Sequence, residues 1–347
     1  MGESIAKPRV HRVTSFDVAE AAGVSQSTVS RALAGDPVVS EGTRQRVTEA
    51  ARRLNYQVDE NAARLRTGRT GTLAVVVVCR AGEHRKDLNP FYFSLLGNLC
   101  AAAAERGYET LVSFQDGPDN FDGHYQEQRK ADGLIVIGTT ENRAAWDYFR
   151  ALGQDGLRWV CWGSPFDELE WIRSDNHEGA RLATAHLLER GYRRIACVGS
   201  EVSTQRQFQE RFEGYAEQMR KAGLEPVLAA IEEGQPREEQ GRRAVAALVE
   251  SGAAFDALFV VCDQIALGAL EALQARGIAV PDQVGLIGFD GIRAGAHSSP
   301  TLSSVEPDFE AAGAMLVERL LARDAGAERR VPVHLLARGS TRRGPPA

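Results

Sequence analysis

Four polar side chains, Gln26, Ser27, Ser30 and Arg31, stand at i, i+1, i+4 and i+5, a spacing that gathers them on one face of a helix. Their types suit the base edges of a major groove. A Gln amide pairs bidentately with adenine, an Arg guanidinium with guanine O6 and N7, and a Ser hydroxyl with either. The helix that must carry them is written into the same stretch. Val29, Ala32 and Leu33 fall on the opposite, apolar side, and Ser25 stands where an N-cap belongs. Ahead of it, Val18, Ala19 and Ala22 give a first helix its apolar stripe, which stops at Gly23, a residue that takes the left-handed C-cap conformation without strain. Residues 16–33 thus read as two short helices about a turn of roughly three residues. Thr14, with Asp17 three positions on, forms a capping-box variant, and Val47, Ala50, Ala51 and Leu54 mark a third amphipathic helix. A solvated three-helix bundle shares this periodicity, but turn, caps and polar face together favour a DNA reader.

Charge divides the chain in the same way. Residues 1–70 hold 11 Lys and Arg against 8 Asp and Glu, which leaves 30 basic and 39 acidic residues of the chain's 41 and 47 for positions 71–347. Positive charge is concentrated where phosphates would lie, and the acidic bulk resists non-specific adhesion to nucleic acid.

A chain of 347 residues can bury more than one core. Its longest apolar run, Leu73–Cys79, falls far short of the roughly 20 residues of a membrane-spanning helix, and no secretory-type apolar segment opens the sequence. A cytoplasmic location and no membrane partner are expected. Cys79, Cys100, Cys161, Cys197 and Cys262 form no CxxC pair and lie mostly in strand-like runs, so buried free thiols are expected. HExxH, phosphate-loop and GxSxG patterns are missing, and GLIGFDG at 285–291 has the wrong glycine spacing for a dinucleotide fingerprint. Neither catalytic residues, nor a metal, nor a cofactor is expected.

From residue 71 onward short β-branched runs alternate with helical stretches: 72–79, 109–114, 133–138, 159–162, 194–199, 256–262 and 284–290. Runs apolar on both faces imply parallel strands covered by helices on each side, an α/β architecture. The segments Ala104–Tyr108 and Leu188–Tyr192 both place Gly after a helix and Tyr before a strand, as though one αβ unit recurs in two lobes enclosing a crevice. Ligands in such sheets bind beyond the carboxyl ends of the strands. Between the two parts, Asn61–Arg66 spans barely more than one helical turn and would not hold a helix alone. Arg64, Arg66 and Arg69 could meet phosphates, and Leu65 could serve as an apolar wedge, if the segment is not a plain linker.

The runs VTSFDVAEAAGVSQSTVSRALAG, VSEGTRQRV, LNY, NAARLRTGRTGTLAVVV, NPFYF, DQIALGALEAL and GLIGFD, in this order, resemble the LacI/GalR family of bacterial transcription regulators over nearly the whole chain. The resemblance implies a small all-α helix-turn-helix DNA-binding domain over 1–57 and a hinge helix and linker over 58–70. It implies for 71–347 an α/β effector domain of the periplasmic-binding-protein type, with two doubly wound parallel-sheet subdomains, that also dimerises. Gln26, Ser27 and Arg31 match the family's base-reading positions, and Thr14, Ser25, Thr28, Ser30 and Ser40 its backbone-contacting ones. Leu65 matches the leucine that enters the minor groove, with Ala62 against the sugar edges. Asn89, Phe91 and Tyr92 match the ligand-facing loop, Arg211 an arginine that holds ligand hydroxyl or carboxyl groups, and Asp290 a carboxylate on the opposite wall. Cys262 stands where many members have Asn, although Asp263 remains beside it and is counted with the effector-binding residues. Gly163 replaces an Asp of several sugar-responsive members, and Val58 replaces a Pro before the hinge.

These features together lead to the expectation of a homodimeric transcription regulator, acting as a repressor. It would bind a pseudo-palindromic double-stranded DNA operator and be controlled by a small-molecule effector, a sugar first and a purine second. A cytoplasmic sugar-processing enzyme with a regulatory helical head is the alternative, and it rests only on the α/β fold. A binding protein without DNA activity conflicts with the polar face and the basic head. Trp159, Trp162 and Trp171 are as well suited to core packing as to sugar stacking, and Asp175 and Asn176 are expected to cap a helix.

Overall fold

The computed structural model describes residues 13–56, 68–82, 88–153, 157–166, 168–203, 205–322 and 329–342. Its contacts divide the chain into two compact units, Met1–Thr70 and Gly71–Ala347.

In the first unit α1 (Ser15–Ala22), α2 (Gln26–Leu33) and α3 (Glu41–Arg53) begin and end at the residues that chain propensity selects. The Thr14 backbone N–H donates to Asp17 Oδ2 at 2.7 Å, satisfying a donor that the helix itself leaves free. Gly23 closes α1 at φ +65°, and Ser25 Oγ accepts from the Thr28 backbone N–H at 3.2 Å to open α2. Val18, Val29, Val47 and Ala50 form the buried centre, and Leu33 and Leu54 pack half-buried at its margin. Each buried Val contributes about 1.5–3 kcal/mol, so a core this small depends on its caps.

The second unit holds two parallel sheets. In the first lobe β1 (Thr72–Val78), β2 (Glu109–Gln115), β3 (Gly133–Gly138), β4 (Trp159–Trp162), β5 (Trp171–Ser174) and β11 (Arg330–Val331) lie in the order β11-β5-β4-β3-β1-β2. Val75 pairs with Val112 on one side and Ile135 on the other. Strand β1 is apolar from Leu73 to Val78 because it is covered twice. Val75 and Val77 pack with Leu95 and Leu99 of α4 (Pro90–Glu105), while Val76 and Val78 pack with Trp146 and Phe149 of α5 (Arg143–Gly153).

The second lobe contains α6 (Asn176–Glu189), β6 (Ile195–Gly199), α7 (Arg206–Lys221), β7 (Val227–Ala230), α8 (Arg237–Glu250), β8 (Ala257–Val260), α9 (Asp263–Ala275) and β9 (Gly285–Ile287). Its strands run β7-β6-β8-β9. After the single-turn α10 (Arg293–Ala296), β10 (Ser304–Pro307) pairs antiparallel with β12 (Val333–Leu336). Between these strands α11 (Phe309–Leu321) returns to pack on the first lobe's core. Every run expected as a strand contains one. The additional strands β5, β7, β10, β11 and β12 were not anticipated. The recurring Gly-Tyr unit has a structural basis, because Gly107 and Gly191 adopt φ +74° and +86° and Tyr192 is fully buried, its Oη donating to the Pro281 carbonyl at 3.1 Å.

Candidate functional site

On the first unit, α2 turns Val29 and Ala32 inward and leaves Ser27 and Arg31 exposed, with Gln26 and Ser30 half-buried beside them. The face is locally ordered. Ser25 Oγ lies 2.9 Å from Ser27 Oγ and 2.8 Å from Thr28 Oγ1, and Gln26 Nε2 donates to Ser15 Oγ at 3.2 Å. Thr14 and Ser40 are exposed at the starts of α1 and α3, where Ser40 Oγ donates to Thr43 Oγ1 at 3.0 Å. Each hydroxyl keeps a lone pair for an external donor or a proton for a phosphate. Ala62 and Leu65 lie outside the described residues.

On the second unit, residues beyond the strand ends of both lobes enclose a cavity of about 610 Å3, a volume inside the ~300–1,000 Å3 range of small-molecule sites. Asn89, Phe91, Tyr92, Arg211 and Asp290 all line it. Asn89 caps α4 by accepting from the Phe91 backbone N–H at 3.0 Å and also hydrogen-bonds Asp290. Arg211, on α7, is buried, and it donates to Asp290 Oδ1 at 3.1 Å, to the Val261 carbonyl at 2.6 Å and to Asn176 Oδ1 at 2.9 Å. Its guanidinium also lies 3.6 Å from the Phe289 ring centre. Asp290 holds φ +110°, a conformation costly for a non-glycine residue and characteristic of ligand clamps. Burial raises its carboxyl, and Arg211 opposes that rise. Burial also pushes the Tyr92 hydroxyl up, and raises the Cys262 thiol to about 12. Both are therefore neutral hydrogen-bonding groups at pH 7, so the position where Asn was expected is occupied by a weak donor.

Asp263 is a correction. Expected on the wall, it does not line the cavity; it is fully buried, accepting from Ser304 Oγ at 2.7 Å and from the Ile292 backbone N–H at 2.8 Å. Its carboxylate ties α9 to β10, and burial, with Asp290 nearby, raises it well above the ordinary range. The tryptophans are packing residues: Trp162 lies against Phe91 with ring centres 5.7 Å apart, Trp159 against Phe149 at 6.2 Å, and Trp171 under the Arg173 guanidinium at 3.8 Å. Asp175 caps α6 by accepting from the Glu178 backbone N–H at 3.1 Å. Asn176 is not only a helix-start residue, since it joins Glu210 (2.8 Å) to Arg211.

The sequence reading missed a cavity group built from distant positions. Arg80, Gln205 and Arg237 line the cavity and converge on Glu141, Arg237 Nη2 and Gln205 Nε2 each donating to Glu141 Oε1 at 2.8 Å. Gln207, also on the lining, has a buried Oε1 with no hydrogen-bond partner among the described residues. It points toward Gly163, where a Cβ would sit 4.0 Å from that oxygen. Gly163 thus leaves open the space that an acidic side chain would fill, and Gln207 borders it.

The description "Bacterial regulatory proteins, lacI family" matches residues 16–59, and "Periplasmic binding protein-like domain" matches residues 184–342. The HTH-type transcriptional regulator CelR of Thermobifida fusca is 31% identical over 336 residues, covering 94% of this chain and 96% of that protein. The chain belongs to the LacI family. It is a helix-turn-helix transcriptional regulator carrying a periplasmic-binding-protein-like α/β domain of two parallel-sheet lobes. Another LacI-family relative, the HTH-type transcriptional repressor PurR of Aliivibrio salmonicida, is 28% identical over 320 residues, covering 91% of this chain and 94% of its own. Among solved structures, a complex of the transcriptional regulator CelR with cellobiose superposes with a TM-score of 0.66 at 28% identity, covering 95% of this chain and all of that one. The lac repressor dimer bound to operator and an anti-inducer shares the fold at TM-score 0.73 and 24% identity, covering 95% of this chain and 99% of that one.

Proposed function

We propose that this LacI-family regulator represses transcription as a homodimer on a pseudo-palindromic double-stranded operator, and that a small saccharide in the two-lobed cavity controls it. The exposed face of α2 carries the reading: Gln26, Ser27 and Arg31 present base-reading groups on a capped, rigid helix. Thr14, Ser25, Thr28, Ser30 and Ser40 are assigned to the sugar-phosphate backbone, and Ala62 and Leu65, from sequence alone, to the minor groove. Residues 1–57 form the DNA-binding domain, 58–70 the hinge and 71–347 the effector domain in this reading.

Asn89, Phe91, Tyr92, Arg211 and Asp290 are the effector residues, joined by Gln207. Their amide, guanidinium, carboxylate and aromatic groups supply paired donors, acceptors and apolar faces, the combination a polyol ring requires. Binding one lobe arrangement better than another shifts the population, and operator affinity changes by the same coupling energy. Dimerisation is supported by Phe93 on α4, Leu111 and Val112 on the edge strand β2, and Val227 on β7, all 36–46% exposed and apolar enough to seek a partner surface. The role is regulatory rather than catalytic, and it is exercised in the cytoplasm. Among the described residues no helix is long and apolar enough to cross a membrane.

The test is fluorescence anisotropy of the full chain on DNA from its own upstream region, with and without a panel of mono- and disaccharides. A salt-resistant preference for one palindrome that a sugar relieves supports the reading. Equal affinity for all DNA, or indifference to every sugar, refutes the corresponding half.

A further inference from the structure

Glu141 follows β3 in the first lobe and is held from both sides of the cleft. Arg80, of its own lobe, pairs with Oε2. Arg237 and Gln205, of the second lobe, donate to Oε1 at 2.8 Å each, and Arg237 Nη2 also donates to Gln205 Oε1 at 2.8 Å. The Glu141 and Arg237 side chains are only 12% and 10% exposed. Its three partners line the 610 Å3 cavity. Glu141 itself lines a different one, of about 550 Å3. A group that borders one space while its partners border another is the wall between them. The segment running into α7 sorts to match, with Gln205, Gln207 and Phe208 on the inner cavity and Ser203, Arg206 and Gln209 on the outer.

Resting on the saccharide reading above, we propose that the Glu141 bridge partitions one continuous cleft and that the outer compartment is a subsite for a further sugar ring, so that Glu141 sets the length of saccharide accepted. The outer lining has the chemistry for it. Arg143, Arg206 and Gln209 offer planar polar groups, while Pro165 and Val202, the latter 84% exposed, offer an apolar ledge for the C–H face of a ring. Thr140 adjoins Glu141, is buried, and its Oγ1 has no hydrogen-bond partner among the described residues. A ligand passing the partition would supply that partner. In this proposal a disaccharide held in the inner space meets only the inner sides of Arg80, Gln205 and Arg237 and leaves the bridge closed, whereas a longer chain must displace a carboxylate from two guanidiniums and an amide in a largely desolvated setting, where such pairs are strong.

The experiment is calorimetric titration of the full chain with cellobiose, cellotriose, maltose and maltotriose, for wild type, Glu141→Ala, Glu141→Gln and Glu141→Ala/Gln209→Ala. Circular dichroism and thermal melting confirm that each variant folds. Wild type should bind a disaccharide about tenfold or more tighter than the matching trisaccharide, a gap typical of one lost charged contact. Glu141→Ala should bring the two within about threefold, and adding Gln209→Ala should weaken only the trisaccharide. Glu141→Gln, which keeps an acceptor for Gln205 and Arg237, should retain the preference for the shorter sugar. Parallel changes for both lengths in Glu141→Ala overturn the partition and leave the saccharide reading standing. If no saccharide binds any of the proteins, the saccharide reading falls and this inference falls with it.

Discussion

Replacing Arg211 with Met keeps an apolar stem against Phe289 and deletes only the charge and its donors. In the native cleft that guanidinium serves Asp290, the Val261 carbonyl and Asn176 at 2.6–3.1 Å, with both members of the ion pair about 95% buried. Removing one partner strands a buried carboxylate, and such losses run to about 3–5 kcal/mol. At about 2–4 °C per kcal/mol for a large domain, the effector-domain transition should fall by roughly 6–20 °C. The residue proposed to hold the ligand also holds the wall. Adding Asp290→Asn removes the stranded charge, so the double variant should melt above Arg211→Met alone. Burial already raises Asp290, and without Arg211 the largest opposing influence is gone, leaving the Asn89 hydrogen bond and the Arg237 charge. A carboxyl raised in the folded state destabilises above its unfolded value, so the deficit of Arg211→Met should shrink as pH is lowered toward that value. Differential scanning calorimetry of the full chain at pH 7 and pH 5 reads all three. A drop of under about 3 °C, or a double variant no more stable than the single one, would refute the account of Arg211 as the counter-charge of a buried acid.

Arg31→Ala should cost about 1–3 kcal/mol on the preferred operator and relax preference at one base pair; an equal loss on random DNA, measured by anisotropy at matched salt, would make Arg31 a phosphate contact. Ser25→Ala removes the acceptor for the Thr28 N–H and should cost the head about 0.5–2 kcal/mol, visible as faster amide exchange along α2. Burial pushes Glu210 up, but Arg330, Arg173 and Asn176 outweigh it and hold its carboxyl below the ordinary 4.5. Its stabilisation is therefore present above that value and lost as pH falls through the depressed one. Glu210→Gln should be less stable at pH 7 and show a flatter acid limb in chemical denaturation; an unchanged acid limb would count against it.

The parts legible in the sequence are those fixed by near neighbours. Thr14–Asp17, Gly23 and Ser25 cap their helices within a few residues, and β1 and β3 announce themselves because both faces are covered. Strand β5 was illegible for a physical reason. It carries Arg173, a residue foreign to buried strands, which is tolerated because Glu210, 37 positions away, neutralises it. Asp263 misled because it follows a strand and opens a helix, as ligand-facing residues do; only Ser304, 41 positions on, shows that its carboxylate is already occupied. The Glu141 group joins positions 64 and 96 apart, a pairing that no local pattern encodes. The cleft's aromatic and Asn89 wall, by contrast, was marked by one short run after a loop.

The return of α11 and β11 to the first lobe delays completion of its core on the ribosome until nearly all of the second lobe has been made. Once a nascent chain has emerged as far as Pro307, every fully buried member of the second lobe's core is available, the last being Val305. The first lobe, whose β1 was made more than two hundred residues earlier, still lacks Ala312, Leu316, Val317, Leu320 and Val331. Until those arrive, Leu95 and Leu99 on α4 have no cover on that side, and at about 5–20 residues per second this interval is long compared with collapse. The early-made lobe thus stays open while nearly all of the second lobe's core is made, and the exposed flank of α4 is where a chaperone or a premature self-contact would meet this protein during synthesis.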